Sequence, residues 1–329
     1  MTVHGVSGGL GKRMKYKAVL YYIAREQGVD FSEERFLPLI RVFSHKVNFI
    51  YVDNPESLKS EIMDADFLMS GFEVCEVDLS SAKKLKAFFT YTAGKEHLPE
   101  RLLQNYPCYF GHFHGILMSE SLLRMMTYFN QHIELIKDNA GHNQWHGHSV
   151  FSKRRTLRGQ SVAIFGYGEI GRHCAKTLIS LGMKVYAIQR TYKNGICAVS
   201  GAEYIHINEA QVMLSRIDQV VSFLPSAEET NDIFDNQFFK RMKSSAYFYN
   251  FGRGNSVVED DLHHALESGV IAGAALDVFQ VEPLPQSSPL WDTKNLIIMP
   301  HISAYYENYA DCYVEELAVQ IGVCLNNLR

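Results

Sequence analysis

The chain has no apolar run near the ~20 residues that a bilayer-spanning helix requires, and no compact hydrophobic segment of the secretory kind lies near its start. Charge of one sign is equally scarce. Lys and Arg total 32 against 36 Asp and Glu, a formal net charge of −4, which gives no general attraction to phosphate backbones or anionic lipid. Nucleic acid and membrane are therefore poor first partners. Only six cysteines occur, Cys75, Cys108, Cys174, Cys197, Cys312 and Cys324, and none forms a CxxC pair. They read as reduced thiols of a cytoplasmic protein, not as a disulfide framework or zinc site. Proline is sparse too, at nine.

What is present is a globular composition, 47% hydrophobic over 329 residues, long enough for two domains with real cores. Residues 1–12, rich in Gly, Ser and His, are expected to be a leader outside the fold. Apolar runs at 16–23, 47–52 and 66–69, each followed by a polar segment of helical length, predict a small α/β layer. A further strand at 85–91 runs into Thr92-Ala93-Gly94, where the backbone can turn tightly and offer free N–H groups. Residues 119–137 carry Leu122, Leu123, Met126, Phe129, Ile133 and Ile136 near a 3.6-residue period. They predict one long helix capped by Ser119. Beyond residue 158, compact β-branched runs at 162–165, 185–189, 220–224, 246–250, 272–278 and 296–299 alternate with segments of helical length. That alternation predicts a doubly wound parallel sheet whose ligands lie beyond the carboxyl ends of its strands. Residues 307–328 predict a last amphipathic helix.

Gly166-Tyr167-Gly168-Glu169-Ile170-Gly171 stands after one of these strands and opens a helix with apolar Ile170, Cys174, Leu178 and Leu181. In that context the three glycines allow the tight turn, the approach of backbone to a pyrophosphate and the packing of helix on strand. An acidic residue about 20 positions on would accept the ribose hydroxyls of NAD. Here the position is Gln189, followed by Arg190, Thr191 and Lys193. A neutral amide removes the repulsion, and Arg190 with Thr191 can hold a 2′-phosphate. The alternative is that Arg190 and Lys193 are solvated surface charges. NADP is expected to be preferred over NAD.

Three further segments follow strands: Asn250-Phe251-Gly252-Arg253-Gly254, the run from Ala275 through Asp277 and Glu282 to Pro285, and Pro300-His301-Ile302-Ser303. A guanidinium, a carboxylate and an imidazole converging there supply what hydride transfer to a keto acid requires. Taken singly, each residue is more often a surface charge, a turn residue or a satisfied histidine. Their placement at successive strand ends gives them weight.

With these motifs, together with Leu224-Pro225-Ser226 and Glu229-Thr230, the chain resembles the D-isomer-specific 2-hydroxyacid dehydrogenase family from about Leu85 to Ser303. The glyoxylate/hydroxypyruvate reductase-like branch fits best. The resemblance implies a Rossmann cofactor domain, residues 119–303, inserted in a smaller flavodoxin-like α/β substrate domain, residues 14–118 plus 304–329. A hinge would close over the substrate, and the protein would be a homodimer built through the cofactor domain. It implies His301 as general acid and Glu282 as the partner that orients it and stabilises its protonated form. Arg253 would bind the substrate carboxylate and polarise its carbonyl, and the backbone of Ala93-Gly94-Lys95 would bind the carboxylate as well. Asp277 would contact the cofactor on the nicotinamide side, and Leu224, Pro225, Ser226, Thr230, Phe251 and Gly252 would line its site. Glutamate rather than glutamine beside the histidine argues against the formate-oxidising branch.

Against the family pattern, Gln189 replaces an acid, Lys95 and Phe251 replace smaller or apolar residues, and Tyr305 and Tyr306 follow the histidine. These departures bear on cofactor choice and pocket shape. Lys95 either holds a second anionic group of the substrate or points to solvent. The histidines at 112, 114, 142, 146 and 148 are joined by no carboxylate or cysteine cluster with ligand spacing, so no metal is expected. His263 and His264 are expected to be solvated. A dinucleotide-sensing corepressor-like protein and a phosphoglycerate dehydrogenase are the rival readings.

Overall fold

The structure is a computed structural model of the chain, described over residues 15–23, 28–96, 98–191 and 195–328. Residues 1–12 and Lys193 lie outside the described residues. Two compact units result, one running to Gly111 and resuming at Glu307, the other spanning His112–Tyr306. Among the described residues no helix is long and apolar enough to cross a membrane.

The first unit holds a five-stranded parallel sheet of β1 (Tyr16–Tyr21), β2 (Val47–Val52), β3 (Phe67–Ser70), β4 (Ala87–Phe89) and β5 (Cys108–Tyr109), in the order β2-β1-β3-β4-β5. This is the flavodoxin-like order. One face of the sheet buries Val19, Tyr21, Leu68 and Phe88. The helix Tyr309–Asn327 belongs to this unit. Its Tyr313 hydroxyl meets that of Tyr22 at 2.8 Å, both residues fully buried, and Arg35 pairs with its Asp311 at 3.1 Å.

The second unit is a seven-stranded parallel sheet of β6 (Ser161–Phe165), β7 (Lys184–Gln189), β8 (Glu203–His206), β9 (Gln219–Ser222), β10 (Tyr247–Asn250), β11 (Gly273–Leu276) and β12 (Leu296–Ile298). Its order is β12-β11-β10-β9-β6-β7-β8. Chain direction across the sheet reverses between β6 and β9, which makes their carboxyl ends the topological switch point where dinucleotides bind. Alternation along the strands explains why the sheet is covered on both sides. Ala163, Phe165, Val220, Phe248 and Ala274 enter one core, while Val162, Ile164, Val221, Tyr249 and Ala275 enter the other. Burying each large apolar side chain stabilises the layer by about 1.5–3 kcal/mol.

The structure corrects several expectations. Two edge strands, β5 and β8, carry no hydrophobic run long enough to announce them. The helix expected over 119–137 is two, His114–Asn130 and Ile133–Gly141, separated by His132 at φ 51°. Asn130 explains the break. Its backbone carbonyl accepts from the Arg155 N–H at 2.8 Å instead of from the next turn, and its buried side chain donates to the Met126 carbonyl and accepts from Gln160. Ile133 and Ile136 therefore leave the core stripe. Ser119 is no cap: it lies inside the first helix, with its hydroxyl donating to the Gly115 carbonyl at 2.5 Å. Leu181 lies just beyond the end of its helix and is 39% exposed.

Candidate active site

Gly166 leaves β6 at φ +85°, and a Cβ on it would lie 2.5 Å from the Phe223 backbone, so the turn must be glycine. The loop then enters the helix Glu169–Ser180, whose Cys174, Ala175 and Leu178 are buried. Its first turn points N–H groups and the positive end of the helix dipole along the crevice. A Cβ on Gly168 would meet nothing within 4 Å. That open space above free backbone donors fits a pyrophosphate. Glu169 is exposed and paired with Arg172, Ile170 packs at the edge of the core, and the Tyr167 hydroxyl meets that of Ser200.

Behind Tyr167 lies a polar cluster that sequence reasoning did not foresee. Burial pushes the Cys197 thiol up, but hydrogen bonds from Ser200 and Tyr204 outweigh it and bring it down to about 6. Burial raises Tyr167 itself to about 12.

On the far side of the switch point, the loop after β9 is tied by Thr230. Its buried hydroxyl reaches the Pro225 carbonyl at 2.8 Å and accepts from the Ala227 N–H at 3.0 Å. Leu224 packs against the core while Pro225 and Ser226 face solvent. At the end of β7, Gln189 is half-buried and registers with His206 of β8. Arg190 and Thr191 are outside the core, with Arg190 3.5 Å from Glu229.

The loops after β9, β10, β11 and β12 touch in the order of the sheet. Gly252 approaches Leu224 so closely that a Cβ would lie 2.5 Å from its carbonyl oxygen, and one on Gly254 would lie 1.9 Å from the Phe279 backbone. Buried Asn250 organises the turn between them, donating to the Arg253 carbonyl at 3.0 Å and accepting from the Gly252 N–H at 3.1 Å. Phe251 is buried, and Arg253 stands half-buried with its guanidinium donating to the Gly252 carbonyl at 2.9 Å.

His301 occupies the left-handed region at φ 54°, a conformation that disfavours a side chain. Asp277 holds it there. The Asp277 carbonyl accepts from the His301 N–H at 2.9 Å, and its carboxylate oxygens accept from the N–H groups of Ile302 at 2.8 Å and Ser303 at 3.0 Å. Burial raises the Asp277 carboxyl, against the pull of these donors. Glu282 is fixed in turn, with Oε1 accepting from the Phe279 N–H at 2.9 Å and Oε2 meeting His301 Nδ1 at 2.8 Å. This contact turns the Nε2 edge of the ring away from Glu282. The His301 side chain is 49% exposed, so a positioned imidazole meets an approachable space. Such a pair can hold and deliver a proton. The Asp277 bonds to the histidine turn were not foreseen from sequence. Two residues with hydrogen-bonding capacity a fixed distance from a strand end were visible, but their pairing was not.

In the first unit, the Thr92 hydroxyl donates to the Gly94 carbonyl at 3.1 Å, which shapes the Ala93-Gly94 turn. Lys95 lies with its ammonium 5.1 Å from the Phe110 ring centre, a cation–π contact. Among the histidines, buried His114 stacks on Phe113, His263 is half-buried and bonded to Thr293 at 2.7 Å, and His264 is exposed. Among the described residues no group of three or more His, Cys, Asp or Glu could hold a metal ion.

Comparison with known proteins gives the family and the fold. The family model described as D-isomer specific 2-hydroxyacid dehydrogenase, NAD binding domain, matches residues 123–303. The chain is 37% identical over 146 residues to glyoxylate/hydroxypyruvate reductase A of Serratia proteamaculans, covering 44% of this chain and 45% of the relative. It is 39% identical over 147 residues to hydroxypyruvate reductase of Blautia hydrogenotrophica, covering 45% and 44%. The matching segment thus spans less than half the length of either relative. Over nearly the whole chain the fold is similar to a D-isomer specific 2-hydroxyacid dehydrogenase family protein from Aeromonas salmonicida, with TM-score 0.75, 28% identity and 95% and 97% of the two chains covered. It is also similar to an NADPH-dependent glyoxylate/hydroxypyruvate reductase from Sinorhizobium meliloti solved with NADP and sulfate. There the TM-score is 0.73, the identity 25% and the coverage 94% of each chain.

Proposed function

Because the chain belongs to the D-isomer-specific 2-hydroxyacid dehydrogenase family, we propose that it reduces a small 2-keto acid of the glyoxylate or hydroxypyruvate kind to the D-2-hydroxy acid, with NADPH preferred over NADH. The observation that carries the reading is the 2.8 Å contact of His301 with Glu282, on a turn that Asp277 holds in the left-handed conformation. A bound reduced nicotinamide supplies the hydride equivalent. The crevice between β6 and β9 would hold it, with pyrophosphate over Gly168 and the first turn of the helix Glu169–Ser180, and with the adenosine end toward Gln189 and Arg190.

The residues of this chain do the rest. His301 donates a proton from Nε2 to the carbonyl oxygen as negative charge develops there, and Glu282 orients the ring and balances the imidazolium. Arg253 holds the substrate carboxylate and polarises the carbonyl. Asp277 acts through the histidine turn, and Thr230 acts by shaping the loop after β9. Ala93-Gly94-Lys95 is assigned to carboxylate binding on the family pattern. The six free cysteines suit a cytoplasmic protein, and a homodimer built through the second unit is the expected assembly.

The test is oxidation of NADPH and NADH, followed by near-ultraviolet absorbance, against glyoxylate, hydroxypyruvate, pyruvate, phenylpyruvate and branched 2-keto acids, with His301→Ala as control. Turnover with a small acid that the substitution abolishes supports the reading. Dinucleotide binding without turnover on any acid would favour a sensing role.

A further inference from the structure

The acid that would accept ribose hydroxyls is missing from the end of β7, where Gln189 stands, yet a carboxylate reaches the same place from another loop. Glu229, on the short helical turn Glu228–Thr230 after β9, lies 3.5 Å from the Arg190 guanidinium. Both partners sit on anchored backbone. The Arg190 carbonyl accepts from His206 Nε2 at 2.8 Å, whose Nδ1 in turn accepts from the Asn208 N–H. Glu229 precedes buried Thr230, whose hydroxyl ties the loop to Pro225 and Ala227. The loops after β7 and β9 flank the glycine turn after β6, so the ion pair reaches across the crevice at the adenosine end.

We propose that Glu229 is a specificity-determining residue that competes with the cofactor's 2′-phosphate for Arg190. The inference rests on the reading of Arg190 as the 2′-phosphate's partner. A phosphate monoester carries about −1.5 to −2 charge. To reach Arg190 it must displace the Glu229 carboxylate or lie beside it, and either route weakens binding of the phosphorylated cofactor. NADH, which brings two ribose hydroxyls instead, leaves the ion pair in place. Glu229 thereby narrows a preference that Arg190 alone would make steep.

The test titrates the full chain and its Glu229→Gln, Arg190→Ala and doubly substituted forms with NADPH, NADH and 2′,5′-ADP, by nucleotide fluorescence or calorimetry and without substrate. Expected is a gain of about 2- to 5-fold for NADPH and 2′,5′-ADP in Glu229→Gln, the range of an exposed ion pair. NADH binding should not change, and the gain should vanish when Arg190 is alanine. An equal gain for NADH, a gain that survives without Arg190, or weaker NADPH binding would overturn the competition. If Arg190→Ala leaves NADPH binding unchanged, the reading of Arg190 itself fails, and the competition fails with it. If Arg190→Ala weakens NADPH while Glu229→Gln changes nothing, only the competition fails.

Discussion

The turn around His301 and the loop around Arg190 both stand at strand ends of one sheet, yet they are built in opposite ways. At the first, buried Asp277 binds three successive backbone N–H groups, and Glu282 is held through the Phe279 N–H. At the second, Arg190 and Glu229 meet with side chains 66% and 63% exposed. Buried hydrogen bonds that would be left unmade are expensive to lose, whereas exposed ion pairs contribute only about 0–1 kcal/mol. In the function proposed, the chemistry would therefore rest on a rigid frame, and cofactor choice on charges that substitution can move without disturbing it.

The sharpest break of this contrast is His301→Ala. The proton donor disappears while the crevice stays intact, so kcat should fall by about 10²- to 10⁴-fold and NADPH affinity should hold. Wild-type turnover in that variant would remove the histidine from the mechanism. Next comes Asp277→Asn, which turns an amide donor toward the N–H groups of Ile302 or Ser303. A displaced imidazole should lower kcat by about 10- to 100-fold, with a stability loss of about 1–3 kcal/mol. Steady-state kinetics beside thermal melts would check both, and unchanged kcat would mean that His301 needs no such support.

At the exposed loop, Gln189→Asp with Arg190→Ala should move the NADPH/NADH ratio of kcat/KM toward NADH by about 10-fold or more. Melting temperature should not move. A preserved ratio would place 2′-phosphate recognition elsewhere. The smallest effect is expected far from both sites, at Asp218, which ties the start of β6 to the segment before β10 through the Ser161 N–H at 2.8 Å and Lys243 at 2.6 Å. Burial raises this carboxyl, but its hydrogen bonds with Lys243 and Ser161 outweigh burial and leave it lowered. Its stabilisation is thus complete above the ordinary carboxylate value and is lost as pH falls through the lowered folded one. Asp218→Asn should cost about 1 kcal/mol near neutrality and leave kcat alone. The difference from wild type in thermal melts should shrink as pH falls below the ordinary carboxylate range.

Legibility in the sequence followed the same division. The glycine turn after β6 and the strand ends carrying Arg253, Glu282 and His301 were readable because each depends on a local run followed by a residue of distinctive chemistry. β5 and β8 were not, because an edge strand of two or four residues takes its place from its neighbours' hydrogen bonds and needs no apolar run of its own. The break after Asn130 was hidden for a similar reason. The helical period continues through Ile133 and Ile136, and what ends the helix is the Arg155 N–H, 25 residues along the chain, bonded to the Asn130 carbonyl.

By itself the sequence determined the alternation of strand and helix, the glycine turn for a dinucleotide and the residue types at the strand ends, since period, turn chemistry and side-chain chemistry are local properties. Tertiary structure alone decided that Asp277 serves the histidine turn and that Glu229 faces Arg190. Each of those pairings depends on which loops the parallel sheet sets side by side, and that order is settled by packing over the whole chain.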